Sequence, residues 1–333
     1  MNEVAVIIPA HNAGRTIAQA IHSALAEPEV VEVVVVDDAS TDDTAAVARG
    51  ADDGSGRLRV MALPGNVGPA RARNLAIAAS HAEWIAILDS DDVFLPGRFA
   101  RLFAHPGWDL AADNIVLVPD HYRAGPALPE VPEFHDDARM LSLSEFVAGN
   151  LTSGRMSRNE TGLLKPVMRR SILVQTGLAY DEDLRLGEDF ILYVRLMARG
   201  ARFLTIRSCG YVAFQRGDSL SAQHRTDDLG SYARAARQIL SQEDLSDEAR
   251  NLLVQQERLT RNKYHHRLFL DQKRARGLAG ASTEALRDPG RVLPILRLTA
   301  RDKYMALMRR AGLASVPHHA AGIRFLLEGR TGP

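Results

Sequence analysis

A chain of 333 residues, 46% hydrophobic and 25% charged, has enough apolar surface for one large or two ordinary soluble domains. Its single cysteine, Cys209, excludes an intrachain disulfide and a cysteine-built zinc site. The formal charge is zero but uneven: residues 1–224 hold 21 basic against 29 acidic side chains, and residues 225–333 hold 20 against 12.

The N-terminus, Met1-Asn2-Glu3-Val4, lacks a basic leader, and no run approaches ~18 uninterrupted apolar residues. Neither a signal peptide nor a membrane span is therefore expected, and the expected location is cytoplasmic, with at most a peripheral place on the cytoplasmic face of the inner membrane. Val4 to Ile8, Val33 to Val36 and Trp84 to Leu88 are short continuous apolar runs, the pattern of strands buried on both faces of a parallel sheet, and Leu58 to Leu63 is a weaker one. Helical patterns lie between them. Ile17, Ile21, Ala24 and Leu25 recur at helical spacing, Ser40 to Asp43 reads as a cap (Ser40 and Asp43 as capping residues) for a helix to about Arg49, and Pro69 opens a helix to about Ser80. The order βαβαβαβ predicts an open α/β sheet, with ligands beyond the carboxyl ends of the strands.

Prolines 119, 126, 129 and 132 predict a long loop over about 119–139, a candidate lid on the acceptor side. Phe190 to Arg199 reads as a helix stopped at Gly200, with Glu188 and Asp189 at its start. From about Thr226 the sequence turns helical and basic, with an interruption near Gly277 to Gly290. That region is expected to face an anionic membrane, a phosphorylated acceptor or a neighbouring subunit, or else to present a solvated arginine-rich surface.

The most informative feature is Asp89-Ser90-Asp91-Asp92, where a buried strand runs straight into carboxylates; Asp37-Asp38 ends the valine run in nearly the same way. Crowded carboxylates repel, the more so when partly desolvated, unless a cation or hydrogen-bond donors compensate. Hard oxygen ligands suit Mn²⁺ or Mg²⁺, ions commonly held by one or two carboxylates together with substrate phosphates.

Five segments, Val6 to Asn12, Val35 to Asp42, Gly65 to Asn74, Leu88 to Asp92 with Pro96, and Gly187 to Asp189, together resemble the inverting family 2 glycosyltransferases of GT-A fold over roughly residues 1–225. Within that family the text is most similar to bacterial enzymes of exopolysaccharide assembly, of the succinoglycan type. The resemblance implies a Rossmann-like, mostly parallel sheet flanked by helices, with a nucleotide-binding part over about 1–115, an acceptor part over about 116–225, and a basic helical extension over 226–333. It implies that Pro9, Ala10 and Asn12 serve the nucleotide, that Asp38 accepts the uracil imide N–H, and that Arg73, rather than Arg71, reaches a uracil carbonyl or a phosphate. Asp91 would bond the metal directly, with Asp89 on the metal and on sugar or ribose hydroxyls and Asp92 behind them. Asp189, seconded by Glu188, would be the general base.

Each segment also has a plainer local reading. Pro9 to Asn12 suits an ordinary strand-to-helix turn, Asp38 a helix-opening residue, Arg73 a solvated surface arginine, the three aspartates of Asp89 to Asp92 a cap for the turn before Pro96, and Glu188-Asp189 a complement to a helix dipole. In one place the chain departs from the family pattern. Where many relatives carry Tyr-Arg-x-His, it reads Tyr211-Val212-Ala213-Phe214, which leaves Arg216 or His224 as candidates for the diphosphate. The implied partners are a nucleoside diphosphate sugar, UDP-linked by preference, and a glycan or lipid-linked acceptor, with no nucleic acid. The rivals are a sugar-phosphate nucleotidyltransferase, which should carry a glycine-rich, lysine-containing loop after its first strand, and a catalytically idle nucleotide-sugar-binding subunit. Residues 9–15 form no such loop, and the idle subunit has no need of both the metal acids and the base.

Overall fold

The computed structural model describes residues 2–124, 137–151, 161–215, 225–311 and 323–327. The apolar runs form β1 (Val4–Ala10), β2 (Val30–Asp37), β3 (Leu58–Ala62) and β4 (Trp84–Ile87), and the periodic segments between them form α1 (Ile17–Leu25), α2 (Thr44–Gly50) and α3 (Pro69–Ala78). β1 pairs in parallel with β2 and β4, and β2 with β3. Val4 to Ile8 are wholly buried because both faces of the central strand are covered, which is why they read as an unbroken apolar run.

The same sheet continues through later segments: β5 (Val93–Phe94), α4 (Arg98–Phe103), β6 (Leu110–Pro119), β7 (Arg139–Leu141), α5 (Leu143–Gly149), β8 (Val167–Arg169), α6 (Arg170–Thr176), α7 (Glu188–Ala198) and β9 (Phe203–Gln215). The strand order is β3-β2-β1-β4-β8-β6-β9-β5. β8 is antiparallel to both β4 and β6, whereas the long β6–β9 pair is parallel. The stretch expected as a loop over 119–139 opens with a 3₁₀ turn at Asp120–Ala124 and gives way to β7 at Arg139; residues 125–136 lie outside the described residues.

α2 begins at Thr44, directly after the capping stretch Ser40 to Asp43. Asp43 occupies the cap position but its side chain makes no capping bond, and Ser40 bonds Asp37 instead. Asp42 fills the role: its Oδ1 accepts from the Thr44 N–H at 3.1 Å and its Oδ2 from the Gly14 N–H at 3.0 Å, so the carboxylate that reaches a second loop is the one used.

Packing divides the chain into two units, Met1–Gly217 with Glu243–Leu245 and Gly322–Pro333, and Asp218–Gln242 with Ser246–Ala321. The first holds the sheet, to which β10 (Arg324–Phe325) is added by antiparallel pairing with β6. The second is helical: α8 (Thr226–Gln242), α9 (Asp247–Leu286) and α10 (Pro289–Arg310). α9 opens on Ser246, whose hydroxyl accepts from the Ala249 N–H, and it kinks at Gly277, where φ is +73°. The interruption expected near Gly277 to Gly290 thus consists of this kink and the break before Pro289.

A buried ion pair stands in the sheet unit. Arg98 and Asp113 are 0% and 1% exposed, with Nη2 and Oδ1 2.9 Å apart, and Arg98 Nη2 also donates to the Lys165 carbonyl at 2.6 Å. Gly210 lies against both, and a Cβ there would collide with the Asp113 carboxylate and the Arg98 stem. Removing one partner of a buried pair leaves the other charge uncompensated, so Asp113→Ala should destabilise the protein by ~3–5 kcal/mol. Urea denaturation at pH 7 checks this through the shift of the unfolding midpoint.

Candidate functional site

Three loops at the carboxyl end of the parallel strands are tied together. The Asp38 N–H donates to the Ala10 carbonyl at 2.7 Å, Asn12 Oδ1 accepts from the Thr41 N–H at 2.8 Å, and the Asn12 N–H donates to the Ser40 hydroxyl at 2.9 Å. Asp38 is buried, and its two carboxylate oxygens accept from the N–H groups of Val67 and Gly68 at 2.6 and 2.8 Å. Its carboxylate thus anchors the loop before α3, and a base approaching it would have to share oxygens already in use. Pro9 and Ala10 end β1 opposite Val36 and Asp37. Asn12 and Ala39 hold left-handed backbone, with φ of +51° and +54°. For Ala39 that conformation is strained, and such strain persists only where the surroundings over-determine it.

The acidic turn after β4 is met by cations from two other elements. Arg73, on α3 and 5% exposed, donates from Nη1 to Glu188 Oε1 at 2.7 Å and from Nη2 to Asp89 Oδ1 at 3.1 Å. Lys165 Nζ stands 2.9 Å from Asp89 Oδ2 and 2.9 Å from Asp189 Oδ2. Five side chains therefore form one network in which two cations bridge three carboxylates. Gly187, with φ of +73°, turns the chain into α7 so that Glu188 and Asp189 enter the network from its first turn.

Burial opposes ionisation of Asp89, but Lys165 and Arg73 outweigh it and hold the carboxyl well below the usual range. Burial likewise disfavours the charged forms of Lys165 and Arg73, and the surrounding carboxylates reverse the balance, so both stay protonated. Asp92 goes the other way. Burial, then repulsion from Asp91 and Asp89, raises its carboxyl well above the ordinary value, although the Tyr211 hydroxyl donates to Oδ2 at 2.8 Å and the Phe214 N–H to Oδ1 at 3.1 Å.

Among the described residues no group of three His, Cys, Asp or Glu side chains is arranged to hold a metal alone. The donor set nevertheless fits a hard dication. Asp91 is only partly buried, its field and that of Asp89 push Asp92 towards protonation, and one or two carboxylates completed by substrate phosphates is the common way to hold Mg²⁺ or Mn²⁺. Arg123, stacked 3.8 Å over the Phe214 ring, donates to the Asp91 carbonyl and fixes the turn.

The structure brings Arg73, Asp89, Glu188 and Asp189 into one network, and gathers Pro9, Ala10, Asn12 and Asp38 at the neighbouring strand ends. Arg71 stays outside, 3.7 Å from Glu182 on the surface. Arg216 and His224 lie outside the described residues. Lys165 escaped the sequence reading, although a lone lysine inside Leu163-Leu164-Lys165-Pro166-Val167-Met168 is a signal, since an apolar run buries a cation only beside a partner. Tyr211 and Arg123 carry no comparable local signal.

Lys165→Met should cost ~3–5 kcal/mol at pH 7, because Asp89 and Asp189 lose their shared ammonium. The depressed Asp89 carboxyl stabilises the fold above about pH 4 and loses that contribution as the pH falls. The gap between wild type and variant should therefore narrow on going from pH 7 to pH 3, as measured by urea unfolding at both values.

The family model "Glycosyl transferase family 2" matches residues 5–151. The chain is 47% identical over 327 residues to the succinoglycan biosynthesis protein ExoU of Rhizobium meliloti (strain 1021), covering 98% of this chain and 95% of that one. Its fold is similar to S. aureus TarS 1-349 in complex with UDP-GlcNAc (TM-score 0.55, 21% identity, 81% of this chain and 74% of that one). It is also similar to the mannosyltransferase PcManGT of Pyrobaculum calidifontis in complex with GDP-Man and Mn²⁺ (TM-score 0.54, 17% identity, 93% and 83%).

Proposed function

The chain belongs to the family 2 glycosyltransferases and has their GT-A fold, and from that premise we propose that it moves one sugar, with inversion, from a nucleoside diphosphate sugar onto a glycan hydroxyl in cell-surface polysaccharide assembly. A UDP-sugar is the favoured donor, and the acceptor is a growing, lipid-linked glycan. That acceptor suits an enzyme working in the cytoplasm at the membrane face; no described helix is long and apolar enough to cross a membrane.

The observation that carries the reading is the asymmetry of Asp189. Its Oδ2 is fixed by Lys165, while Oδ1 is buried and has no hydrogen-bond partner among the described residues. A buried acceptor left unpaired calls for a donor, and the acceptor hydroxyl is one. The hydroxyl oxygen attacks the anomeric carbon, the bond to the diphosphate breaks with its electron pair leaving on the nucleotide, and the hydroxyl proton passes to Asp189 Oδ1. Glu188, held by Arg73, keeps the first turn of α7 in place. Asp91 with Asp89 would hold a bound Mn²⁺ or Mg²⁺, whose contribution is to neutralise the diphosphate leaving group. Pro9, Ala10, Asn12 and Asp38 form the wall for the base and ribose.

Asp189→Asn keeps the shape of the side chain and removes its proton affinity. Turnover should fall ~10²–10⁴-fold while donor-induced thermal stabilisation persists. Turnover within threefold of wild type would end the base assignment. With a panel of UDP-, GDP- and dTDP-sugars, thermal shifts should be largest for a UDP-sugar. They should need Mn²⁺ or Mg²⁺, disappear in EDTA and be lost in Asp91→Ala; full turnover in EDTA would remove the metal from the mechanism.

A further inference from the structure

The helical unit presents an exposed face that carries none of the residues assigned to transfer above. Along α10, Leu293, Leu296, Ala300, Tyr304 and Leu307 follow one another at intervals of three and four, which places them on one face of the helix. The four large ones are 54%, 60%, 58% and 64% exposed. The opposite face is the one that packs: Ile295 is 5% exposed, and Thr299 and Asp302 lie 3.2 and 3.9 Å from His266 of α9. The apolar stripe is therefore not a core face left over from α9 packing, and it runs for about 21 Å at 1.5 Å per residue.

Cations border the stripe on both sides. By helical rotation Arg297 and Arg301 follow one edge, and Lys303 and Arg310 the other. All four are exposed, and none has a side-chain hydrogen bond or ion pair among the described residues. The only acid of α10, Asp302, is on the α9 side. Long basic side chains at the edges of an apolar stripe can lay their stems along the hydrocarbon boundary and raise their charges to the headgroups.

We propose that this face of α10 docks, lying in the plane of the surface, on a bilayer that contains anionic lipid. A second copy of the chain is a poor occupant, because pairing two such stripes would bring like-charged borders together. The inference specifies a surface for the membrane-face location proposed above, yet it rests on helix geometry and not on the catalytic residues.

The test is co-sedimentation of the full chain with sucrose-loaded vesicles at low salt, either phosphatidylcholine alone or phosphatidylcholine with 30 mol% phosphatidylglycerol. Anionic vesicles should retain at least ~tenfold more protein, since each basic residue at such a surface contributes about fivefold in partitioning. The variants Arg297→Glu/Arg301→Glu and Leu296→Ser/Tyr304→Ser/Leu307→Ser should each lower that retention at least ~tenfold. All these positions are exposed, and an unchanged circular dichroism melt together with unchanged donor-induced thermal stabilisation would show the sheet unit intact, so loss of docking is separable from failure of the transferase reading. Equal retention on both vesicle types, retention indifferent to the variants, or stripe-dependent dimers in sedimentation velocity without vesicle binding would each overturn the proposal.

Discussion

The ammonium of Lys165 between Asp89 and Asp189 is the contact on which the site depends. Three carboxylates brought together at the end of a buried sheet would repel strongly in a low effective dielectric. Two protein cations make the cluster tolerable, and Lys165 is the one that joins the turn after β4 to the first turn of α7. A single charge thereby sets the distance between the carboxylates assigned to the leaving-group side and the one assigned to the incoming hydroxyl. Its own position is set from deeper in the fold, because Arg98, locked to Asp113, holds the Lys165 carbonyl. Packing, a buried ion pair and the site form one continuous mechanical chain.

Much of this was legible before the structure. β1, β2 and β4 announced themselves through unbroken apolar runs because both faces are covered, and the acids at positions 37–38 and 89–92 stood out because a buried strand has no local use for several negative charges. Physics also dictated that something must compensate those acids. It did not dictate the whole of it: a divalent ion was the natural expectation, and Arg73 and Lys165 add protein cations at Asp89.

What remained hidden depended on long-range register. Lys165 is 76 residues from Asp89 in sequence and meets it only because β8 pairs antiparallel to β4. Tyr211 reaches Asp92 because β9 lies beside β5, a pairing no local pattern encodes. The helix start after Asp43 was legible, but not which of four consecutive polar side chains bonds its first turn: Asp42 does, and it also accepts from Gly14 in another loop. The two halves of the sheet differ in legibility: β1, β2 and β4 contain unbroken apolar runs, whereas polar residues interrupt β6 at Asp113-Asn114 and β9 at Arg207-Ser208, and that pair, although long and parallel, did not stand out.

The clamp of Asp38 on Val67 and Gly68 has a consequence for recognition. The two turns are already joined by hydrogen bonds, so at the nucleotide site proposed above an entering ligand would forfeit little free energy to order them. Under the proposed assignment, discrimination between bases would come from mismatch against edges whose spacing the fold has already set.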